Sequence, residues 1–315
     1  MGRVFVVGSF NVDHVWRVAA LPAPGATLAG EYASGPGGKG FNQAMAARRA
    51  GADTRFACAL GQDAGAQLAR VLCEADGIDL RDAVADAPTG TAGIYVDAAG
   101  RNSIVVGAGA NAALQADAVA TALADLRPGD VVLAELESPL PAVATALHRA
   151  RAAGAIAMLN PAPANVAIAA AMLADADVLT PNETEFAAML ARHGDERLPA
   201  DAIAGLEPAQ LHASCRRLAP AATVVVTLGA HGCFVSHPPG RLRGDCAAFL
   251  ALPAEPAQAI DTTGAGDAFN GALAASLALR DAPFATHAAF AGRYAARSTE
   301  QSGAALSMPR LPVLG

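Results

Sequence analysis

Aromatic residues are scarce in this chain, 4% of 315 residues against an apolar fraction of 53%. Alanine therefore carries much of the apolar content, and the positive mean hydropathy does not argue for a membrane protein. No window offers about 18 apolar residues without a break. The longest candidate, 155–174, is interrupted by Asn160, Pro161, Pro163 and Asn165. The run Val4–Val7 is too short for a signal-peptide core, and Asn11 and Asp13 follow it closely, so a buried first strand explains it better. Basic runs are absent too. With a net charge of −7, a nucleic-acid surface is not expected. Five cysteines (Cys58, Cys73, Cys215, Cys233, Cys246) show no C-x-x-C spacing, and none of the seven histidines stands at ligand spacing from another. Zinc is therefore not expected, and scattered thiols in odd number fit a reducing, cytoplasmic setting.

What is present is alternation. Short β-rich apolar runs (4–10, 54–59, 130–135, 155–159, 176–180, 223–228) separate longer alanine-rich runs with helical character (41–50, 62–76, 114–125, 140–153, 165–175, 182–192, 208–219, 266–280, 284–298). Strands alternating with helices predict an α/β fold: a three-layer, doubly wound, mostly parallel sheet flanked by helices. Two segments break the pattern. Residues 14–34 hold Pro22, Pro24 and Gly25 between strand-like pieces, and 91–106 reads as a hairpin turning near Ala99-Gly100. A small β-sheet lid accounts for both. The expected division is a large domain from 1–12, 35–90 and 107–315, with a lid from 13–34 and 91–106. The polar stretch 193–207 reads as a surface insertion.

Asp-Thr-Thr-Gly-Ala-Gly-Asp at 261–267, followed by an apolar helical run, is the most informative motif. Gly264, Ala265 and Gly266 are small enough for backbone N–H groups to approach a ligand, and the helix start adds its positive end. Asp267 stands at the lip. An anion hole beside a base suits phosphoryl transfer to an alcohol; the bland alternative is a helix cap after a glycine turn. A carboxylate at a helix N-terminus is expected to be a weak base.

Five further strand ends carry polar or glycine-rich tips, and ligands of open α/β sheets sit beyond such ends. Asn11 and Asp13, two apart, share a side and can grip neighbouring hydroxyls, or they simply close a turn. Gly35-Pro36-Gly37-Gly38-Lys39-Gly40 precedes a helix bearing Asn42. It is no Walker loop, because Gly40 follows Lys39. Glu137 ends a buried strand and needs a partner, either a hydroxyl-rich ligand or an N-cap network with Ser138. Asn182 and Glu185 form a capping box, or order water around a magnesium–phosphate unit. Thr227, Gly229 and Gly232 could line a nucleotide groove or merely join two strands. A weaker string, Gly107-Ala108-Gly109-Ala110-Asn111-Ala112 with Asp125 beyond it, loosely fits a dinucleotide fingerprint and keeps a dinucleotide-binding protein as a distant alternative.

In order, these motifs resemble the ribokinase family of carbohydrate kinases over nearly the whole chain, from Gly8-Ser9-Phe10-Asn11-Val12-Asp13 to Ser307-Met308-Pro309. Gly37–Gln43, Leu136–Pro139, Asn160–Pro163 and Thr180–Glu185 carry the likeness. The resemblance implies an ATP-dependent kinase with Asp267 as proton acceptor and the backbone of 264–266 as anion hole. It implies a sugar site of Asn11, Asp13, Gly38, Lys39, Asn42 and Glu137, and an ATP site of Asn182, Thr227, Gly229, Gly232 and Gly266. Asp261 and Thr263, with Ser298, Gln301, Gly303 and Ser307, would hold a monovalent cation, usually potassium. Gln301 and Ala304-Ala305-Leu306 depart from the family's more polar pattern there. A homodimer through the lid is also implied. The expected reaction is phosphorylation of the 5-hydroxyl of D-ribose. Asp13 and Glu137 would repel a sugar phosphate, so a neutral substrate is favoured. Deoxyribose, a ketohexose, or a nucleoside stacked on Phe10, Phe41 or Tyr95 remain alternatives, as does a non-catalytic sugar-binding relative.

Overall fold

The computed structural model describes residues 1–311. Among these, a nine-stranded sheet and a four-stranded sheet are present. In the large sheet, β1 (Val4–Val7) lies centrally. On one side of it come β4 (Thr54–Leu60) and β5 (Asp79–Val84). On the other lie β8 (Val131–Ala134), β9 (Ile156–Leu159), β10 (Val178–Leu179) and β11 (Thr223–Thr227), all parallel to β1. Two antiparallel strands, β12 (Cys233–Ser236) and β13 (Phe249–Leu252), close that edge.

Both faces are covered, and strand alternation decides which side chain goes where. Phe5, Val7, Val132 and Ala134 pack under α3 (Ala116–Ala122), α4 (Leu140–Ala152), α5 (Ala170–Asp175), α6 (Glu183–His193) and α7 (Pro208–Leu218). Val4, Val6, Val131 and Leu133 pack under α1 (Lys39–Arg49), α2 (Ala64–Asp76), α8 (Ala265–Leu279) and α9 (Phe284–Ser298). The fold is the doubly wound α/β architecture expected. No helix among the described residues is long and apolar enough to cross a membrane.

The small sheet has the order β3 (Glu31–Gly37), β2 (Asn11–Val18), β6 (Gly90–Asp97), β7 (Asn102–Gly107). Here the structure corrects the sequence reading. The first strand stops at Val7 rather than running to residue 10, and Asn11 and Asp13 open a strand of the small sheet instead of ending one of the large sheet. They still share a side. Where the chain leaves the large sheet, the Glu135 carboxylate and Gly40 leave no room for a side chain on residue 8, which is glycine.

Other differences are local. Strands β5 and β13 lie at the edges of the large sheet, where one side has no partner to enforce a clear hydrophobic pattern, and the short β12 joins β13 to β11. Helix α5 starts at Ala170 rather than 165, and α3 is shorter than 114–125. The 193–207 segment is not wholly superficial: it forms a 3-10 turn over Ala200–Gly205 that buries Ile203 completely. The dinucleotide alternative fails on geometry. Gly109–Ala113 is a short 3-10 turn with no α-helix to receive a pyrophosphate. Asp125 pairs with Arg3 and Arg81, and Arg3 sits just before β1, at the end of the sheet opposite the strand tips.

Candidate active site

Gly264 caps α8 in a left-handed conformation (φ 76°), which L side chains rarely adopt, and turns the chain so that the first amides of the helix point outward. Asp267, on the first turn, is 7% exposed. Two amides from the start of α1 grip it: Asn42 Nδ2 donates to Oδ2 at 2.9 Å and Gln43 Nε2 to Oδ1 at 3.0 Å. Burial raises its pKa. Lys39 and the Asn42 and Gln43 hydrogen bonds pull the other way, while Glu137 adds to the rise. Where a helix N-terminus predicts a weakened base, burial outweighs Lys39 and the two hydrogen bonds and raises the carboxyl instead.

The partners of these amides extend the site. Gln43 Nε2 also donates to Asn160 Oδ1 at 3.1 Å, and Asn160 Nδ2 donates to the Thr180 carbonyl at 3.0 Å. The amide oxygens Asn42 Oδ1 and Gln43 Oε1 are buried without a protein partner. Such orphaned acceptors are costly unless a ligand donates to them, and a polyol hydroxyl is such a donor.

Across from Asp267 lies a second acidic group. Burial, then Glu137 and Asp267, push Asp13 up to about 6, while Lys39 opposes. Asp13, Glu137, Lys39 and Asp267 thus lie near enough to one another for their charges to interact. Glu137 Oε2 accepts from Ser9 Oγ at 2.6 Å and from the Lys39 N–H at 3.1 Å. The Ser9 hydroxyl and the start of α1 hold Glu137; the cap network with Ser138 does not form, and Ser138 Oγ is itself unpartnered. Gly38 caps α1 beside it. Asn11 is fixed through its Oδ1, which accepts from Asn111 Nδ2 at 2.8 Å. Lys39 is the only lysine in the sequence. Burial disfavours its ammonium form, but Asp267, Glu137, Glu135 and Glu185 outweigh that and raise its pKa.

Glu135, Gln43, Asn160 and Asn111 were not singled out from sequence. Glu135 is fully buried, accepts from Ser9 N at 2.6 Å and Glu137 N at 2.5 Å, and is pushed by burial, then by Glu137, up to about 8. Glu135 and Asn160 were visible as polar strand tips. Gln43 left only a faint signal, an amide on an otherwise apolar helix face.

Asn182, Thr227, Gly229, Gly232 and Gly266 line one groove of about 710 Å³ beside the α8 turn. Its far wall, not read from sequence, is built from Leu252–Ala257 and the α9 face carrying Ala288, Gly292 and Ala295. The capping box at Asn182 and Glu185 is present, both Glu185 oxygens meeting Asn182 nitrogens at 2.9 and 3.1 Å. Glu185 is nonetheless buried close enough to feel Lys39 and Asp267. No cluster of three His, Cys, Asp or Glu suited to a metal occurs among the described residues. The donor set fits a hydrated magnesium ion carried on phosphates rather than an all-protein cage.

Of the residues assigned to a monovalent cation, Asp261, Thr263 and Gly303 meet. The Asp261 carboxylate accepts from the backbone N–H of Thr263 and of Gly303, each at 2.9 Å. Ser298 and Ser307 instead donate to carbonyls of their own turns, Ala295 and Ala304, and Gln301 is exposed. The aromatic residues suggested for base stacking are not available for it. Phe10 and Phe41 are fully buried against each other, and Tyr95 stacks on Trp16. Trp16 alternates with Asp13 and so faces away from it.

The profile of the pfkB family carbohydrate kinases matches residues 1–311. A ribokinase of Haemophilus influenzae is 37% identical over 310 residues, covering 96% of this chain and 94% of that protein. The solved structure of a Thermotoga maritima ribokinase superposes with a TM-score of 0.83 at 30% identity, covering 98% and 97% of the two chains. An Arabidopsis thaliana ribokinase complexed with ribose and ATP superposes with a TM-score of 0.81 at 27% identity, covering 98% and 96%.

Proposed function

The chain belongs to the pfkB family of carbohydrate kinases, and we propose that it transfers the γ-phosphoryl group of ATP to the 5-hydroxyl of D-ribose, giving ribose 5-phosphate and ADP. The observation that carries this reading is the clamped carboxylate. Asp267 is held by two amides at a helix N-terminus, between a glycine-lined groove and a cluster of polar and charged side chains.

In this reading ribose lies against Asn11, Asp13, Gly38, Lys39, Asn42 and Glu137, with its 5-hydroxyl on Asp267. The hydroxyl oxygen bonds to the γ-phosphorus as the bond from that phosphorus to the β–γ bridging oxygen breaks. Asp267 takes the hydroxyl proton, and the electron pair leaves with ADP. The amides of 264–266 and Lys39 meet the charge that builds on the phosphoryl oxygens. A loose transition state asks little of the base, so positioning dominates. The acidic lining favours a neutral sugar over a sugar phosphate, and burial of Phe10 and Phe41 leaves a nucleoside base without a stacking surface.

Glu185 and Asn182 would hold the water of a magnesium ion, which would supply positive charge to offset that of the nucleotide phosphates. Potassium near Asp261, Thr263 and Gly303 would rigidify the turn that carries the anion hole. Two protomers would join through the lid, whose Ile104 and Val106 are more than half exposed on the face that bears Asp13. Five free cysteines, four of them buried, fit a reducing cytoplasm. The test is a coupled assay across ribose, deoxyribose, fructose and adenosine, with and without potassium. Ribose should give the highest kcat/KM; a preference for any other substrate, or no ATP consumption, rejects the assignment.

A further inference from the structure

Asp267 is clamped by the first turn of α1, but the other end of that helix also reaches the anion-hole turn. Arg49, its last residue, has a largely buried guanidinium, 8% exposed. Its Nη1 donates to three carbonyl oxygens of the C-terminal segment: Met308 at 2.9 Å, Leu306 at 3.0 Å and Ala305 at 3.5 Å. Its Nε donates to Asp76 Oδ2 at 2.9 Å, and Asp76 is buried at the end of α2. The backbone carbonyl of Arg49 accepts from Leu311 N at 2.9 Å. Arg310 also pairs with Asp76, and Tyr294 donates to the Pro309 carbonyl at 2.8 Å.

The segment held in this way lies directly against the anion hole. A methyl group placed on Gly264 would meet Ala304 Cβ at 3.0 Å and Met308 Cε at 3.6 Å. Gly303, just ahead, donates to Asp261 at the start of the same turn. Helix α1 thus holds the reaction centre twice, through Asn42 and Gln43 on Asp267 and through Arg49 on the loop that backs Gly264.

We propose that Arg49 is a positioning residue for phosphoryl transfer, setting the 303–308 loop and through it the amides of 264–266. It touches neither sugar nor nucleotide. Only a planar fork of donors serves three carbonyls and a carboxylate together; an ammonium on a flexible stem does not reproduce it. The catalytic half of the proposal rests on the kinase reading above, whereas the mechanical half does not.

The test compares Arg49→Lys and Arg49→Ala with Arg48→Ala, whose side chain donates to the Asp76 and Ala52 carbonyls and not to the loop. Amide hydrogen exchange without ligand should quicken about tenfold or more over 261–267 and 303–308 in both Arg49 variants. Exchange over 9–13 should stay as in the unaltered protein. The kcat should fall about tenfold or more while KM for ribose stays within about twofold. Removing an oxyanion donor outright costs about 100-fold or more, and displacement costs less. Methylguanidinium should restore turnover to Arg49→Ala where methylammonium does not, and Arg48→Ala should match the unaltered protein. Unchanged exchange at 261–267, or a kcat within about threefold in both Arg49 variants, overturns the proposal. Faster exchange over the whole chain without guanidinium rescue also overturns it, because that marks lost stability alone. An unaltered protein that phosphorylates no sugar would sink the kinase reading instead and leave the exchange result to judge the mechanical coupling.

Discussion

Two carboxylates divide the work at the residue scale. Asp267 is raised by burial but held ionisable by two amide donors and Lys39. Asp267→Asn keeps the shape and removes the proton acceptor. It should lower kcat by about 10²- to 10⁴-fold, the usual share of a general base, while the protein still unfolds cooperatively; steady-state kinetics alongside calorimetry check both. Asp13 behaves differently. Its ordinary value of 3.8 rises to about 6. A carboxyl raised on folding adds stability below its unfolded value and loses it as pH climbs through about 6. Charged Asp13 therefore strains the protein at pH 8, and in the proposed sugar site substrate hydroxyls would relieve the strain. Asp13→Asn should melt a few degrees higher at pH 8, the gap closing toward pH 4. It should also raise KM for the sugar about tenfold or more, the worth of a hydrogen bond to a charged acceptor. In the unaltered enzyme, KM should climb as pH falls through about 6. A KM flat from pH 8 to 5 would remove Asp13 from the sugar site.

The decisive contact among elements is α1 against α8. Gly271, one turn beyond Asp267, lies so close to α1 that an added methyl group would stand 2.4 Å from the Gln43 carbonyl oxygen and 2.6 Å from Ala46 Cβ. The small residues of α8 let the two helices approach, and that approach brings Asn42 and Gln43 onto Asp267. Gly271→Val should force the pair apart, costing about 1–3 kcal/mol, and should lower kcat more than the loss of folded protein explains. Activity per folded molecule, measured below the melting transition, is the readout. Sequence periodicity marked both helices to within a few residues, since each has an apolar face and clear ends. It did not register their spacing, which depends on which two glycine- and alanine-rich surfaces meet.

On the scale of the whole molecule, the lid is where sequence and structure part most. Residues 91–106 were legible as a hairpin because Ala99-Gly100 lies between two β-rich runs. That Asn11 and Asp13 sit on the lid itself was not legible, because a strand that leaves one sheet to begin another looks locally like a continuous strand. The proposed sugar site is therefore shared between the body and a sheet whose apolar face is exposed at Ile104 and Val106. If lid pairing holds the site closed, Ile104→Asp combined with Val106→Asp should convert a dimer to a monomer in analytical ultracentrifugation and raise KM for the sugar several-fold. A dimer unaffected by both changes would place the contact elsewhere.

The amino-acid order alone determined the alternation of strands and helices, the polar strand tips, the capping box at Asn182 and Glu185, and the Gly-Ala-Gly-Asp turn. Each depends on side-chain periodicity or on hydrogen bonds spanning a few residues, so local chemistry was enough. Tertiary structure decided that Asp267 is raised rather than lowered, that Glu135, Gln43, Asn160 and Asn111 stand beside or behind the candidate residues, and that Arg49 contacts the loop behind Gly264. Those outcomes follow from burial and from charges brought together across separations such as the 225 residues between Asn42 and Asp267. Desolvation and Coulomb forces act through space, and only the folded chain sets those distances.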